Sequence, residues 1–240
     1  MSKALPITLA LAALSLFTAS CGSTNQAQIR VINAIPDGGP TDIYVNSRKI
    51  ASSLQFGGIF PTPGANATYV GVASGSDLIQ GFAPGDTINP ISPIGTFTLN
   101  GSTDYTVIAV GSEANNSRPL VLTDNNLAPK GGNAEFRIVN TSLSPPPNGV
   151  DVYIVPPGTN ITNYAPQIVA LGASQGSAYQ PVLSIAGGYA VVVTANLKKV
   201  PLLTQLAAAP SGSITTMVIV DNPGVNNGMS QTPLVLNDLN

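Results

Sequence analysis

The sequence predicts an all-β protein, built as two tandem immunoglobulin-like β-sandwich domains after an N-terminal signal segment. Three observations predict it. Short β-branched and aromatic runs, such as Tyr105-Thr106-Val107-Ile108-Ala109-Val110 and Tyr189-Ala190-Val191-Val192-Val193-Thr194, have the composition of strands. Glycine and proline, 24 and 21 of 240 residues, separate these runs and block helix continuation. Four sequence blocks recur in the same order in the two halves of the chain.

The first element is the leader. Lys3 is followed by an apolar run from Ala4 to Phe17, too short for a membrane span of about 20 residues. Ala19 and Ser20 directly precede Cys21, so the segment resembles a lipobox, in which the cysteine becomes the acylated N-terminus. Cys21 is the only cysteine, which leaves it no partner for an intrachain disulfide. The expectation is a signal peptide over 1–20, lipid attachment at Cys21 and a tether over 21–26. By resemblance to other lipoproteins, Gly22 in place of an aspartate implies an exported protein held at the outer membrane or cell surface. Losing Lys3 with the leader moves the formal charge from −2 to −3.

The repeat comes next. Ile29-Arg30-Val31-Ile32-Asn33 recurs as Phe136-Arg137-Ile138-Val139-Asn140, and Thr41-Asp42-Ile43-Tyr44-Val45 as Val150-Asp151-Val152-Tyr153-Ile154. The run from Tyr105 to Val110 corresponds to Thr215-Thr216-Met217-Val218-Ile219-Val220. Arg118-Pro119-Leu120-Val121-Leu122-Thr123-Asp124 corresponds to Thr232-Pro233-Leu234-Val235-Leu236-Asn237-Asp238. These blocks delimit domains at 27–127 and 134–240, with 128–133 as linker; each is near the usual size of about 100 residues. About seven strands are expected per unit. No window has a convincing helical period outside the leader; Gln205 to Ala209 comes nearest and Pro210 ends it.

The repeated blocks also resemble domain-of-unknown-function family 4397. The motifs are Arg-Val-Ile-Asn-Ala-x-Pro-Asp (30–37), Asp-Ile-Tyr-Val (42–45) and Leu-Val-Leu-Thr-Asp (120–124), with Phe-Arg-Ile-Val-Asn (136–140), Val-Asp-Val-Tyr (150–153) and Ala-Gly-Gly-Tyr-Ala-Val-Val-Val (186–193) in the second half. The resemblance implies a β-rich bacterial envelope protein and no particular chemistry.

Recurrence also sorts the polar residues. A catalytic site is usually built once, whereas a constraint of the fold repeats. Arg30, Asn33, Asp42, Tyr44 and Asp124, with their counterparts Arg137, Asn140, Asp151, Tyr153 and Asp238, are therefore read as structural. Each repeated arginine is expected to pair with a repeated aspartate at a strand end.

No catalytic residue is assigned. The chain has no histidine, which excludes Ser-His-Asp, Cys-His and His-ligated metal mechanisms. Gly172-Ala173-Ser174-Gln175-Gly176 has the spacing of a nucleophile elbow but neither the histidine nor the following helix. Oxygen-rich turns at Asp37 with Asp42, and at Asp221-Asn222 with Asn226-Asn227, would suit only calcium, and turn formation explains them as well; no metal or cofactor is assigned. Tyr164, Tyr179 and Phe60 are candidate exposed aromatics for a ligand. The slightly acidic balance argues against a nucleic-acid partner. The expected function is a non-enzymatic, lipid-anchored envelope protein in a binding, adhesive or spacer role. Its partners would be a membrane, through the lipid, and a glycan, peptide or protein ligand. The alternative is a carboxylate-based hydrolase of envelope or environmental polysaccharide, since two acids at the right separation suffice.

Overall fold

The computed structural model describes residues 25–63, 68–91, 95–113, 117–143, 145–222, 229–230 and 232–239. Residues 1–20, expected to be a signal segment, and Cys21 lie outside the described residues. The fold is all-β and β-sandwich-like; its described helical content is one short 3-10 turn, Ile161–Asn163.

The N-terminal half forms β1 (Ala27–Asn33), β2 (Thr41–Val45), β3 (Arg48–Leu54), β4 (Ile59–Phe60), β5 (Val70–Val72), β6 (Gly75–Phe82), β7 (Gly95–Leu99), β8 (Asp104–Val110) and β9 (Arg118–Thr123). The C-terminal half forms β10 (Asn133–Asn140), β11 (Val150–Val155), β12 (Ile168–Leu171), β13 (Gln175–Gly176), β14 (Gln180–Leu183), β15 (Tyr189–Ala195), β16 (Pro201–Ala207), β17 (Ile214–Ile219) and β18 (Leu234–Asn237). Nine strands per half replace the about seven expected; one of the additional strands arises because one edge of β1 and of β10 is covered by two short pieces in place of one strand. β4 and β5 share the edge of β1; β13 and β14 share that of β10. β10 opens at Asn133, the last residue of the expected linker. The weak helical candidate at 205–209 falls largely in strand β16.

Each half makes two sheets. In the N-terminal half these run β4-β1-β8-β9, with β5 also on β1, and β3-β2-β6-β7; in the C-terminal half they run β13-β10-β17-β18, with β14 also on β10, and β12-β11-β15-β16. Each strand of the second pair of sheets thus stands nine places after its counterpart in the first. β1 pairs parallel with β8 from Gln28↔Asp104 to Asn33↔Ala109, and β10 parallel with β17 from Glu135↔Ile214 to Asn140↔Ile219. This departs from the antiparallel sheets of an immunoglobulin sandwich; here a parallel pair occupies the middle of each five-stranded sheet.

Side-chain alternation explains the packing. Successive residues of a strand point to opposite faces. In β1, Ile29 and Val31 join Ile43, Val45, Ile79 and Val107 in a core between the two sheets of the N-terminal half. In β10, Phe136 and Ile138 join Val152, Val191, Val193 and Met217 in the equivalent core of the C-terminal half. The intervening positions are also buried. Ile32, Ile108 and Val110 meet Val139, Val218, Val220 and Leu236 in a third cluster drawn from both halves. The five-stranded sheets therefore face each other and are covered on both sides.

Candidate functional site

The same alternation that sends Ile32 and Val139 to the junction sends Arg30 and Arg137 there too, since each lies two residues before its neighbour. Both arginines are 2% exposed, and the Asp124 and Asp238 side chains that meet them are fully buried. Arg30 Nη2 pairs with Asp238 Oδ1 and lies 3.5 Å from Asp124 Oδ2; Arg137 Nη2 lies 2.6 Å from Asp124 Oδ1 and 3.3 Å from Asp238 Oδ2. Every arginine thus contacts both aspartates, and its shorter contact is to the aspartate of the other half.

The surroundings repeat as well. Arg30 Nε donates to Thr106 Oγ1 at 2.8 Å and Arg137 Nε to Thr216 Oγ1 at 2.9 Å. Those hydroxyls donate in turn to Asp124 Oδ2 and Asp238 Oδ2, at 2.6 and 2.5 Å. Arg30 Nη1 donates to the Asn237 carbonyl and Arg137 Nη1 to that of Thr123, both at 3.0 Å. Tyr69 and Tyr179 donate their hydroxyls to Asp124 and Asp238 at 2.7 Å, and their rings cover the guanidinium groups of Arg30 and Arg137 at 5.2 and 4.7 Å. Burial lowers the pKa of Arg30, but Asp238 and Asp124 outweigh it and hold the group above its ordinary value. Burial pushes both tyrosine hydroxyls well up, with Asp124 adding to the shift of Tyr69, so both remain protonated donors.

Sequence reasoning missed four members of this cluster: Thr106, Thr216, Tyr69 and Tyr179. The threonines sit inside a recurring block. The tyrosines sit outside every block, yet stand at the same spacing as the threonines, which was the available signal. Tyr179, expected to be an exposed ligand aromatic, is half-buried under Arg137. Phe60 likewise packs against the N-terminal core. Tyr164 remains 49% exposed.

The other recurring residues also make equivalent contacts. Asn33 Nδ2 donates to the Leu54 carbonyl at 2.9 Å and Asn140 Nδ2 to that of Leu171 at 3.1 Å, each linking a five-stranded sheet to its four-stranded neighbour. Asp42 accepts from Ser53 N and Asp151 from Ala170 N, at 2.7 and 2.9 Å. Ser53 and Ala170 have φ of 48° and 52° and lie in edge strands whose register shifts, so each carboxylate captures the amide of a kinked edge. Burial pushes both carboxyls up, but Lys49 and Ser53 at Asp42, and Ala170, Asn196 and Leu197 at Asp151, hold them below the usual carboxylate range. Tyr44 packs edge-on against Phe82 with Lys49 Nζ 5.5 Å from its ring centre; Lys199 Nζ stands 4.6 Å from that of Tyr153.

The elbow-like motif has a structural explanation. Ser174, at φ 51°, forms the tight turn joining β12 to β13. A Cβ on Gly176 would stand 3.0 Å from Leu122 Cδ2, a β9 side chain of the other half, so the second glycine permits close approach. The oxygen-rich turns are similarly engaged: Asp221 accepts from Ser142 Oγ at 2.5 Å and Leu143 N at 2.7 Å, and Asp37 from Glu113 N at 3.0 Å. Residues 223–228, which hold Asn226 and Asn227, lie outside the described residues. No group of three or more Cys, Asp or Glu side chains placed to hold a metal ion occurs among the described residues. A cavity of about 160 Å³ opens beside Arg30, walled by Ile59, Thr62, Val235 and Leu239.

A family model described as domain of unknown function DUF4397 matches residues 27–153, just over half of the sequence. No curated protein matches the chain. Among solved structures the chain is similar to the Bacillus anthracis TIE protein, at 10% identity and a TM-score of 0.23, over 81% of this chain and 34% of that one. The chain thus spans about a third of the length of that protein.

Proposed function

Since this chain belongs to the DUF4397 family, a domain of unknown function, we propose that it is a non-enzymatic protein of the cell envelope, lipid-anchored through Cys21 at the outer membrane or cell surface. In this reading the chain is two tandem units over 27–127 and 134–240. Each is a sandwich in the manner of the immunoglobulin class, though with a parallel central pair. Together they form a stiff spacer or adhesive module that presents loops to a glycan, peptide or protein.

The observation that carries this reading is the commitment of the recurring polar residues to the fold. The recurring carboxylates are consumed by arginines, threonines, tyrosines and edge amides. A glycosidase would need one acid free to protonate a leaving group and another free to attack or activate water. The nine-strand offset between the two pairs of sheets supports the tandem reading, and the shared apolar junction supports stiffness.

The test is expression of the full chain in a bacterium that processes lipoproteins. Radiolabelled palmitate should enter the wild type and not Cys21→Ser. Label in neither, with soluble release of the chain, removes the anchor. Incubation with envelope polysaccharide should yield no new reducing ends; their appearance, lost on an Asp→Asn exchange, would install the hydrolase instead.

A further inference from the structure

Between residues 152 and 220 the sequence carries two charged side chains, Lys198 and Lys199. They are adjacent, exposed, and sit at the tip of the hairpin joining β15 to β16. Their neighbours on both sides are apolar and more exposed than most: Leu197 is 83% exposed and Val200 74%. Leu197 also has φ 61°, a conformation that glycine or asparagine adopts far more readily than leucine. A leucine that is both strained and solvated contributes little to the packing of this fold.

The tip does not stand alone. The Asp151 carboxylate accepts from Leu197 N at 2.9 Å and Ala170 N at 2.9 Å, which brings the start of β12 beside the hairpin and with it Val169, 62% exposed. Lys199 donates to the Tyr164 carbonyl and, at 3.0 Å, to Tyr153 Oη, placing the half-exposed Tyr164 at the same edge. The result is an apolar tip with two ammonium groups and an aromatic flank. Asp151, the acid nearest to it, is 2% exposed.

We propose that this hairpin is a membrane-contact element, which inserts Leu197 and Val200 among the lipids while Lys198 and Lys199 meet anionic headgroups. A cation pair requires an anionic surface, and the solvated leucine and valines favour a bilayer over a hydrated acidic polymer. The contact needs no acyl chain and goes beyond the anchor proposed at Cys21.

The protein contains no tryptophan, so Leu197→Trp places one emitter at the tip. In the full chain carrying Cys21→Ser, its emission should shift to the blue and be quenched by brominated lipid in vesicles of equimolar phosphatidylcholine and phosphatidylglycerol. Val200→Trp should behave alike, which covers any disturbance of the strained position. Leu206→Trp, at a 63% exposed site further along β16, should not shift. Because all three reporters ride on the same chain, only a difference specific to the tip counts. Adding Lys198→Gln should weaken the response about fivefold, the share of one lysine near such a surface. Equal shifts at 197 and 206, equal shifts on pure phosphatidylcholine, or no shift at 197 and 200 would each overturn the proposal. A shift with soluble polyglutamate but not with vesicles would overturn it in favour of an acidic polymer. The acyl-free background keeps these outcomes separate from the fate of the Cys21 reading.

Discussion

Removing the guanidinium of Arg137 would leave Asp124 with Arg30 as its remaining cation, 3.5 Å away, and the Thr123 carbonyl without its donor. A buried pair broken from one side costs about 3–5 kcal/mol, because the surviving charge loses its closest cation in a site without water. Arg137→Ala should lose that much in urea unfolding. The loss should register in the N-terminal half too, since Asp124 and Thr123 belong to it. Replacing all four charges with leucine or methionine should cost less than the single change, because desolvation then disappears with the attraction. Asp42 and Asp151 have folded values below their unfolded ones, so they contribute stability that is present above about pH 4 and lost as pH falls through the lower folded values. Asp151→Asn should be less stable at neutral pH and show a shallower acid slope below about pH 4. Asp77 has the opposite sign. Burial raises its pKa, and its Oδ2 has no hydrogen-bond partner among the described residues. Asp77→Asn should raise the melting temperature at pH 7, with the gain shrinking as acid protonates the native carboxyl.

At the scale of single strands, β1 and β10 show how much could be read in advance. Ile-Arg-Val-Ile-Asn and Phe-Arg-Ile-Val-Asn are recognisable in the sequence as strands and as like segments. What went unread was the meaning of their unbroken apolar character. A strand with one solvated face alternates, whereas a strand covered on both faces does not. Ile32 and Val139 therefore already indicated a second apolar face on each five-stranded sheet. The edge strands were less legible. Ser53 and Ala170 take positive φ without glycine, and the need for Asp42 and Asp151 becomes visible only once the kinked edge is seen. Gly176 makes a test at this scale. A Cβ there would press on Leu122 from the other half, so Gly176→Val should cost about 1–3 kcal/mol, as overpacking does, with Ser174→Ala nearly neutral.

For the whole molecule, the recurring sequence pairs each arginine with a recurring aspartate but does not say which of the four. Arg30 could have met Asp124 alone, within its own half. It takes Asp238 as the shorter contact because the outer faces of the two five-stranded sheets are apolar and bury each other, which carries the end of each half to the arginine of the other. Each isoleucine, leucine or valine fully buried there contributes about 1.5–3 kcal/mol, so apolar contact drives the junction and the charges fix its alignment. Unfolding should be a single transition by circular dichroism and by calorimetry. Ile108→Ala, a junction change touching neither sandwich core, should move that transition by about 2–5 kcal/mol without splitting it. Two resolved transitions in the wild type would show that the halves melt separately.

The parallel ladder between β1 and β8 bears on mechanical load. The chain enters β1 at Ala27, and its ladder with β8 runs from Gln28 to Asn33. A pull on the N-terminus along that strand acts on those hydrogen bonds together, in shear. A strand peeled sideways would give them up one at a time. A tug through the anchor proposed at Cys21 would therefore load this ladder in shear, at the first described strand.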